Sequence, residues 1–361
     1  MGTDSEVSVV AAVHGVLPTH RYTQSELTDL VLELLGDASR EKLSRHIHAN
    51  AHVRTRHLAL PIDRYAQLAD FTAANDAFLE HGCELGVQAI RGALDAAGLA
   101  PADVDIVFST TVTGVAAPSI EARIATELGL RPDVKRVPMF GLGCVAGAAG
   151  IGRAHDYLLG APDQVAVLLS VELCSLTMQR GDPSTANLVA SGLFGDGAAA
   201  VVLLGSRRAE VESAGAVGPV VLDSRSRLYP DSQRTMGWDV TAQGLKIVLN
   251  AEVPDMVRQY LGEDVRGFLA DHGLTVGDVG AWVCHPGGPK VIDAIVEVLG
   301  LPPDALELTW RSLADVGNLS SSSVLHVLRD TMDKHPPPDS PGILMAMGPG
   351  FCSELVLLRW R

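Results

Sequence analysis

The sequence predicts an α/β protein with two similar halves, and three observations carry that expectation. Apolar runs of strand length, such as Asp105–Thr110, Val165–Ser170 and Ala198–Leu204, alternate with segments of helical spacing. Glycine is abundant at 36 residues, which suits tight turns and close backbone contacts. Each half also holds a strand that leads into a helix rich in small residues, one beginning at Cys144 and the other at Asn318.

The elements follow in order. The opening run MGTDSEVSVVAAVHGVLPTH has acidic residues where a secretory signal has basic ones, and its apolar stretch is short, so it is read as a first strand. From Phe78 to Ala97, apolar or small residues recur at Leu79, Cys83, Gly86, Ile90, Ala93 and Ala97, and Gly98 supplies the stop. Val137–Phe140 runs into Gly141-Leu142-Gly143-Cys144 and a helix to about Leu159. Between Gly205 and Gly244 the composition turns charged and rich in Gly and Pro, which places a boundary between halves 1–220 and 221–361. The second half alternates again. A helix is expected over Val253–His272, a strand over Ala281–Cys284 and a helix over Lys290–Leu299. A helix from Asn318 to Met332 and strands Gly342–Met347 and Leu355–Arg359 close the chain.

Composition narrows the function classes. The 361 residues suffice for one large α/β unit or two ordinary domains, and a hydrophobic content of 47% supports a large core. Acidic residues outnumber basic ones 43 to 28, and a net charge of −15 argues against nucleic-acid binding and anionic membranes. No run of 18 apolar residues is present, so membrane insertion is not expected. The five cysteines (Cys83, Cys144, Cys174, Cys284, Cys352) are odd in number and show no CxxC spacing. Neither a disulfide framework nor a metal site is indicated, no resident cofactor is called for, and a cytoplasmic setting is expected.

Three residues are candidates for chemistry. Cys144 sits where a strand turns into a helix, and free N–H groups there would stabilise a thiolate and form part of an oxyanion hole. A buried structural cysteine is the plain alternative. His285 follows a strand and precedes Pro286-Gly287-Gly288-Pro289, a stiff loop that would hold an imidazole at a strand end. His155, His272 and His326 read as ordinary helix or surface histidines. Asn318 would serve as a helix N-cap, yet a cap does not call for Ser320, Ser321, Ser322 and Ser323 to follow. A papain-like protease also combines Cys, His and Asn, but its cysteine lies in C-G-[SA]-C-[WY] near the mature N-terminus, whereas GLGCVAG lies mid-chain here.

RTRHLALP near Arg54, GLGCVAGAAG, LFGDGAAAVV at Phe194, HPGGPKVID, GNLSSSSVL and MGPGF resemble, in order and spacing, the thiolase-like condensing enzymes and among them the type III polyketide synthases. The sequence is most similar to the actinobacterial, mycobacterial-type alkylpyrone synthases of that family. The resemblance implies a thiolase-like five-layered αβαβα fold with two pseudo-symmetric halves, a homodimer, and acyl-CoA and malonyl-CoA as substrates. It implies a triad of Cys144 as acyl carrier with His285 and Asn318 holding the malonyl thioester oxygen, and Phe194 as a gatekeeper between CoA tunnel and cavity. Val112, Thr113, Ala117, Ser320, Ile247 and Met347 fall at cavity positions, with Trp238 nearby, and Met347 stands where the family carries Phe. Apolar walls at Val112 and Ala117 would suit a fatty starter and release as an alkylpyrone or alkylresorcinol. Arg40, Lys42, Arg45, Arg54 and Arg56 form the densest basic stretch. The resemblance puts CoA contacts in this region, with Arg45, Arg54 and Arg56 the choices.

Three alternatives stand beside this reading. An initiating ketoacyl-acyl carrier protein synthase shares the triad, but typically carries HQAN and GNTSAAS where this chain has HPGG and GNLSSSS. A tetrahydroxynaphthalene-forming synthase would use malonyl-CoA as its own starter. A non-catalytic acyl-binding protein would not need a complete triad.

Overall fold

The structure, a computed structural model, describes residues 7–212 and 218–361. Thirteen strands are present among them. In chain order they are β1 (Ser8–Val16), β2 (His20–Thr23), β3 (Thr55–Leu58), β4 (Ile106–Thr111), β5 (Lys135–Phe140), β6 (Val165–Leu173), β7 (Asp196–Gly205), β8 (Val220–Leu228), β9 (Met236–Thr241), β10 (Gly244–Leu249), β11 (Ala281–Cys284), β12 (Pro341–Gly348) and β13 (Cys352–Arg359). Nine of them form one sheet in the order β11-β12-β13-β8-β1-β7-β6-β4-β5, while β2/β3 and β9/β10 form small antiparallel pairs.

The sheet repeats itself. In one run β4 is parallel to β6, β6 antiparallel to β7 and β7 antiparallel to β1. In the other, β11 is parallel to β12, β12 antiparallel to β13 and β13 antiparallel to β8. The two runs join where Ser8 and Val9 pair with Val221 and Val220.

Strand periodicity sorts the apolar residues into three cores. Val167, Leu169 and Val171 of β6 face the long helix Phe71–Ala97, in a core with Ile90, Leu94 and Val202. Ala166 and Leu168 face the other way, into a central core with Ile151, Leu158, Val324 and Leu328. On β12 the same alternation sends Leu344 and Ala346 into that central core. Ile343 and Met345 go into a third, packed on helices Gly262–Asp271 and Pro289–Leu299. The two runs of this one sheet therefore form two layers between helices, five layers in all, with Ala146–Gly160 and Ser323–Asp333 as the buried middle layer.

The small residues of that middle layer are explained by close approach. A Cβ at Gly147 would collide with the Ser321 carbonyl, and one at Gly150 with Leu168. The helix expected over 253–272 is present with a wide turn over Val257–Leu261. The charged stretch after Gly205 is only partly irregular, since it contains β8 and the β9/β10 pair. Residues 1–6 of the opening run and 213–217 of the boundary stretch lie outside the described residues. Among the described residues, no helix is long and apolar enough to cross a membrane.

Candidate active site

The site is assembled where the two middle-layer helices begin. After β5 the chain turns through Gly141 (φ 92°) and Gly143 (φ 56°), a conformation that side chains resist. A Cβ at Gly143 would also lie 2.7 Å from the Pro349 ring, so the Gly348-Pro349-Gly350 loop caps this turn. The turn delivers Cys144 in the short 3-10 segment Gly143–Val145, 6% exposed, ahead of helix Ala146–Gly160. In the other half, Ser320–Ser322 form the matching 3-10 turn ahead of Ser323–Asp333. The two turns meet, and the Cys144 thiol donates to Ser320 Oγ at 3.8 Å.

The serines are more than small. Ser321 Oγ donates to Glu172, Ser170 Oγ bonds Ser321 Oγ at 2.8 Å and Ser322 Oγ at 2.7 Å, and Ser323 Oγ accepts from the Leu319 amide at 2.6 Å. They satisfy a buried helix start that would otherwise strand its polar groups. Glu172, which sequence reasoning missed, also accepts from Thr113 Oγ1 at 3.0 Å and from the Val112 amide at 3.1 Å. Its signal was available: one carboxylate in the otherwise apolar or small-residue strand VAVLLSVEL.

His285 follows β11, with its amide bound to the Met345 carbonyl at 3.0 Å. The Pro286-Gly287-Gly288 loop, with Gly288 at φ 139°, then turns into helix Pro289–Leu299. Among the described residues, both imidazole nitrogens are buried without a protein partner. Asn318 is held through its backbone. Its amide donates to the Leu193 carbonyl at 2.8 Å, and its carbonyl accepts from the Gly195 amide at 3.0 Å. Its side-chain oxygen accepts from the Ser320 amide at 2.8 Å, which leaves the NH₂ group as a donor for the cavity that Asn318 lines.

Cys144, His285 and Asn318 border one cavity of about 590 Å³, with Phe194, Met347, Met345 and Phe351 among its other walls. A second cavity, about 490 Å³, is bordered by Phe194, Arg56, Cys174, Ser175, Trp238 and Ile247. Phe194 thus belongs to both.

Burial dominates the electrostatics of Cys144 and His285. Burial pushes the Cys144 thiol up to about 12, against a lowering by the Ser320 hydroxyl, and nearby Glu172 adds to the rise. Burial likewise pushes His285 down to about 3. Desolvation opposes the thiolate stabilisation expected of a helix start. Neither charge is tolerated alone, so ionisation of Cys144 requires a partner that takes its proton, and His285 lines the same cavity.

The remaining candidates divide. Met347 lines the first cavity, Ile247 the second, and Ser320 meets Cys144. Val112 and Thr113 are buried but line neither cavity, their polar groups being spent on Glu172, and Ala117 is exposed. Arg56 corrects its assignment as a CoA contact. It is 2% exposed and donates to the carbonyls of Ser191 (2.7 Å) and Phe194 (2.8 Å) and to Gln24 Oε1 (2.9 Å), so it cannot stand at a solvent mouth. Arg45 pairs at the surface with Asp29 and Glu41, and Arg54, 70% exposed, with Asp315. His155 and His326 are buried rather than ordinary, the latter bound to the Ala198 carbonyl at 3.0 Å.

Residues 3–207 match the family model for the N-terminal domain of chalcone and stilbene synthases, and residues 221–360 match that for the C-terminal domain. The chain belongs to this family. It is a type III polyketide synthase, an acyl-transferring enzyme. A 1,3,6,8-tetrahydroxynaphthalene synthase of Streptomyces peucetius subsp. caesius is 58% identical over 353 residues, 97% of this chain and 93% of that one. An alpha-pyrone synthesis polyketide synthase-like protein of Mycobacterium tuberculosis is 30% identical over 361 residues, 97% of this chain and 91% of that one. The crystal structure of 1,3,6,8-tetrahydroxynaphthalene synthase from Streptomyces coelicolor A3(2) superposes with a TM-score of 0.91 at 29% identity, covering 98% of this chain and 99% of that one. The thiolase-like fold of the synthases is therefore the fold of this chain.

Proposed function

We propose that this synthase condenses malonyl-CoA units alone, on Cys144, into a tetrahydroxynaphthalene. The observation that carries this reading is the 58% identity, along nearly the whole chain, to a synthase of that name. The ten carbons of a naphthalene correspond to five two-carbon units, which malonyl groups supply after losing CO₂.

The roles follow from the cavity. The Cys144 sulfur attacks the starter thioester while its proton passes to His285, and the departing CoA thiolate takes that proton back. Malonyl-CoA then places its thioester oxygen between the His285 imidazole N–H and the Asn318 NH₂. CO₂ departs, charge develops on that oxygen, and these fixed donors stabilise it in a largely dry space. The resulting enolate carbon attacks the acyl group on Cys144, and the thiolate leaves.

A second reading keeps a fatty starter and alkylpyrone release. It is favoured by the apolar walls Leu249, Val253, Leu261, Val291 and Ile295, with no Lys or Arg among the described residues bordering the cavity at Cys144. A malonyl starter would bring a carboxylate into that space, whereas an alkyl chain would gain roughly 0.8 kcal/mol per buried methylene. Val112 and Ala117, from which a fatty channel was expected, do not border it. Mass spectrometry of products from malonyl-CoA alone, and from malonyl-CoA with hexanoyl- or lauroyl-CoA, decides. A tetrahydroxynaphthalene from malonyl-CoA alone supports the first reading, and its absence beside abundant alkylpyrone overturns it.

The chain is also read as half of a homodimer. β5 is an edge strand whose Val137 and Phe140 stand exposed, and unpaired edges with apolar side chains invite association.

A further inference from the structure

We propose that Arg56 is a positioning residue that fixes Phe194 between the two cavities and thereby sets which acyl groups the enzyme accepts. The proposal rests on reading the Cys144 cavity as the condensing site.

Helix Thr185–Leu193 ends at Phe194, and its last carbonyls need partners. Arg56 Nη1 donates to the carbonyls of Ser191 and Phe194, and Gln24 Nε2 donates to that of Gly192 at 2.7 Å. Arg56 Nη2 bonds Gln24 Oε1, so the two side chains form one clamp on the helix end. The cation also complements the negative pole of the helix. On its other side the same loop is pinned by Asn318, through the Leu193 carbonyl and the Gly195 amide. The Phe194 backbone is thus gripped from both sides, and its side chain walls both cavities.

The aliphatic stem of Arg56 is equally constrained. A Cβ at Gly317 would lie 3.0 Å from it, and one at Gly195 would lie 3.5 Å from it. Only an unbranched stem ending in a planar fork reaches two carbonyls and an amide oxygen together. Lysine retains the charge, which the buried Asp196 nearby requires, but cannot reproduce the fork. A released Phe194 would let the two cavities merge, and discrimination by acyl length would weaken.

The test uses the full-length enzyme carrying Arg56→Lys, with Gln24→Ala as a gentler variant and Phe194→Ala as reference. Three quantities are read: kcat/KM for product formation with malonyl-, hexanoyl- and lauroyl-CoA as starters, the rate of malonyl-CoA decarboxylation, and the Phe194 position in crystals of Arg56→Lys. Expected are a change of about tenfold in the short-to-long starter ratio, in the direction given by Phe194→Ala, with decarboxylation within about threefold of the unmodified enzyme and Phe194 displaced. Gln24→Ala should move the ratio the same way by less. An unchanged ratio, an unmoved Phe194, or equal loss of decarboxylation and extension overturns the proposal and leaves Arg56 a structural residue. Failure of the unmodified enzyme to decarboxylate malonyl-CoA sinks the condensing-site reading instead, and the crystal then decides Arg56 by itself.

Discussion

The Asn318 side-chain oxygen accepts the Ser320 amide hydrogen at 2.8 Å, and this single bond decides which end of the Asn318 amide can meet a substrate. Ser320 reaches that bond in a left-handed conformation, φ 51°, unusual for serine. The same residue receives the Cys144 thiol. One turn therefore orients the amide donor and contacts the nucleophile.

Asn318→Asp tests the orientation. The carboxylate retains an acceptor for Ser320 but replaces the donor NH₂ with oxygen. Malonyl-CoA decarboxylation should fall on the order of 10²- to 10³-fold, the usual cost of losing one oxyanion donor. Thermal unfolding should shift down modestly, because the Ser320 bond survives while a carboxyl replaces an amide in a buried site. Activity within a few-fold of the unmodified enzyme would remove Asn318 from the oxyanion site.

His285→Gln tests how Cys144 ionises. With burial pushing the thiol up to about 12, Cys144 without an imidazole partner should react with iodoacetamide slowly at pH 7 and gain about tenfold per pH unit through pH 9. The unmodified enzyme should react at least tenfold faster at pH 7. Peptide mass spectrometry at Cys144 reads both rates, and equal rates would show that His285 has no part in making the thiolate.

The triad was legible because each member is announced by backbone chemistry. Glycines before Cys144, the Pro-Gly loop after His285 and the serine run after Asn318 all mark junctions between strand and helix. Arg56 was misread for the opposite reason. A basic side chain near a CoA enzyme's basic stretch suggests phosphate, and only tertiary packing shows it turned inward onto carbonyls. β8 was hidden because its polar residues look like a loop. Arg225, Ser226 and Arg227 in fact reach Asp271, Glu354 and Asp264. Val112, Thr113 and Ala117 border neither cavity within one chain, since alignment fixes a position along the chain and not the direction of a side chain.

Acid should destabilise the fold before ordinary carboxylates titrate. Burial lowers His48 and His326 to about 4 and His285 to about 3, and it also lowers His57 and His155. Unfolded histidines take up protons below about 6.5 while these buried ones do not, so stability is full above that pH and is lost as pH falls from about 6.5 towards 4. Asp196, raised to about 6, and Glu172, also raised, act in the opposite sense, since the fold takes up their protons first. Five histidines outweigh two carboxyls. Urea midpoints should therefore fall between pH 7.5 and pH 5.5, and His326→Gln should flatten that dependence. A midpoint that rises over this interval would contradict the balance.

The exposed edge of β5 carries the last prediction. Phe140 is 57% exposed, Val137 of the same strand is also exposed on the opposite face, and the strand has hydrogen-bonding capacity to spare on its outer side. Cys144 begins only four residues beyond Phe140, so whatever covers this edge also stiffens the turn that presents the nucleophile. Phe140→Glu places a charge where a partner strand's apolar face would lie, and two such charges would face each other across a two-fold axis. Sedimentation velocity at micromolar protein should show the unmodified chain at twice its 38.0 kDa mass and the variant at that mass. Condensation should weaken in the variant as the Cys144 turn loosens, with far-UV circular dichroism unchanged. An unmodified chain that sediments as a fully active monomer would sink the homodimer reading. A Phe140→Glu variant that remains dimeric would move the interface away from β5.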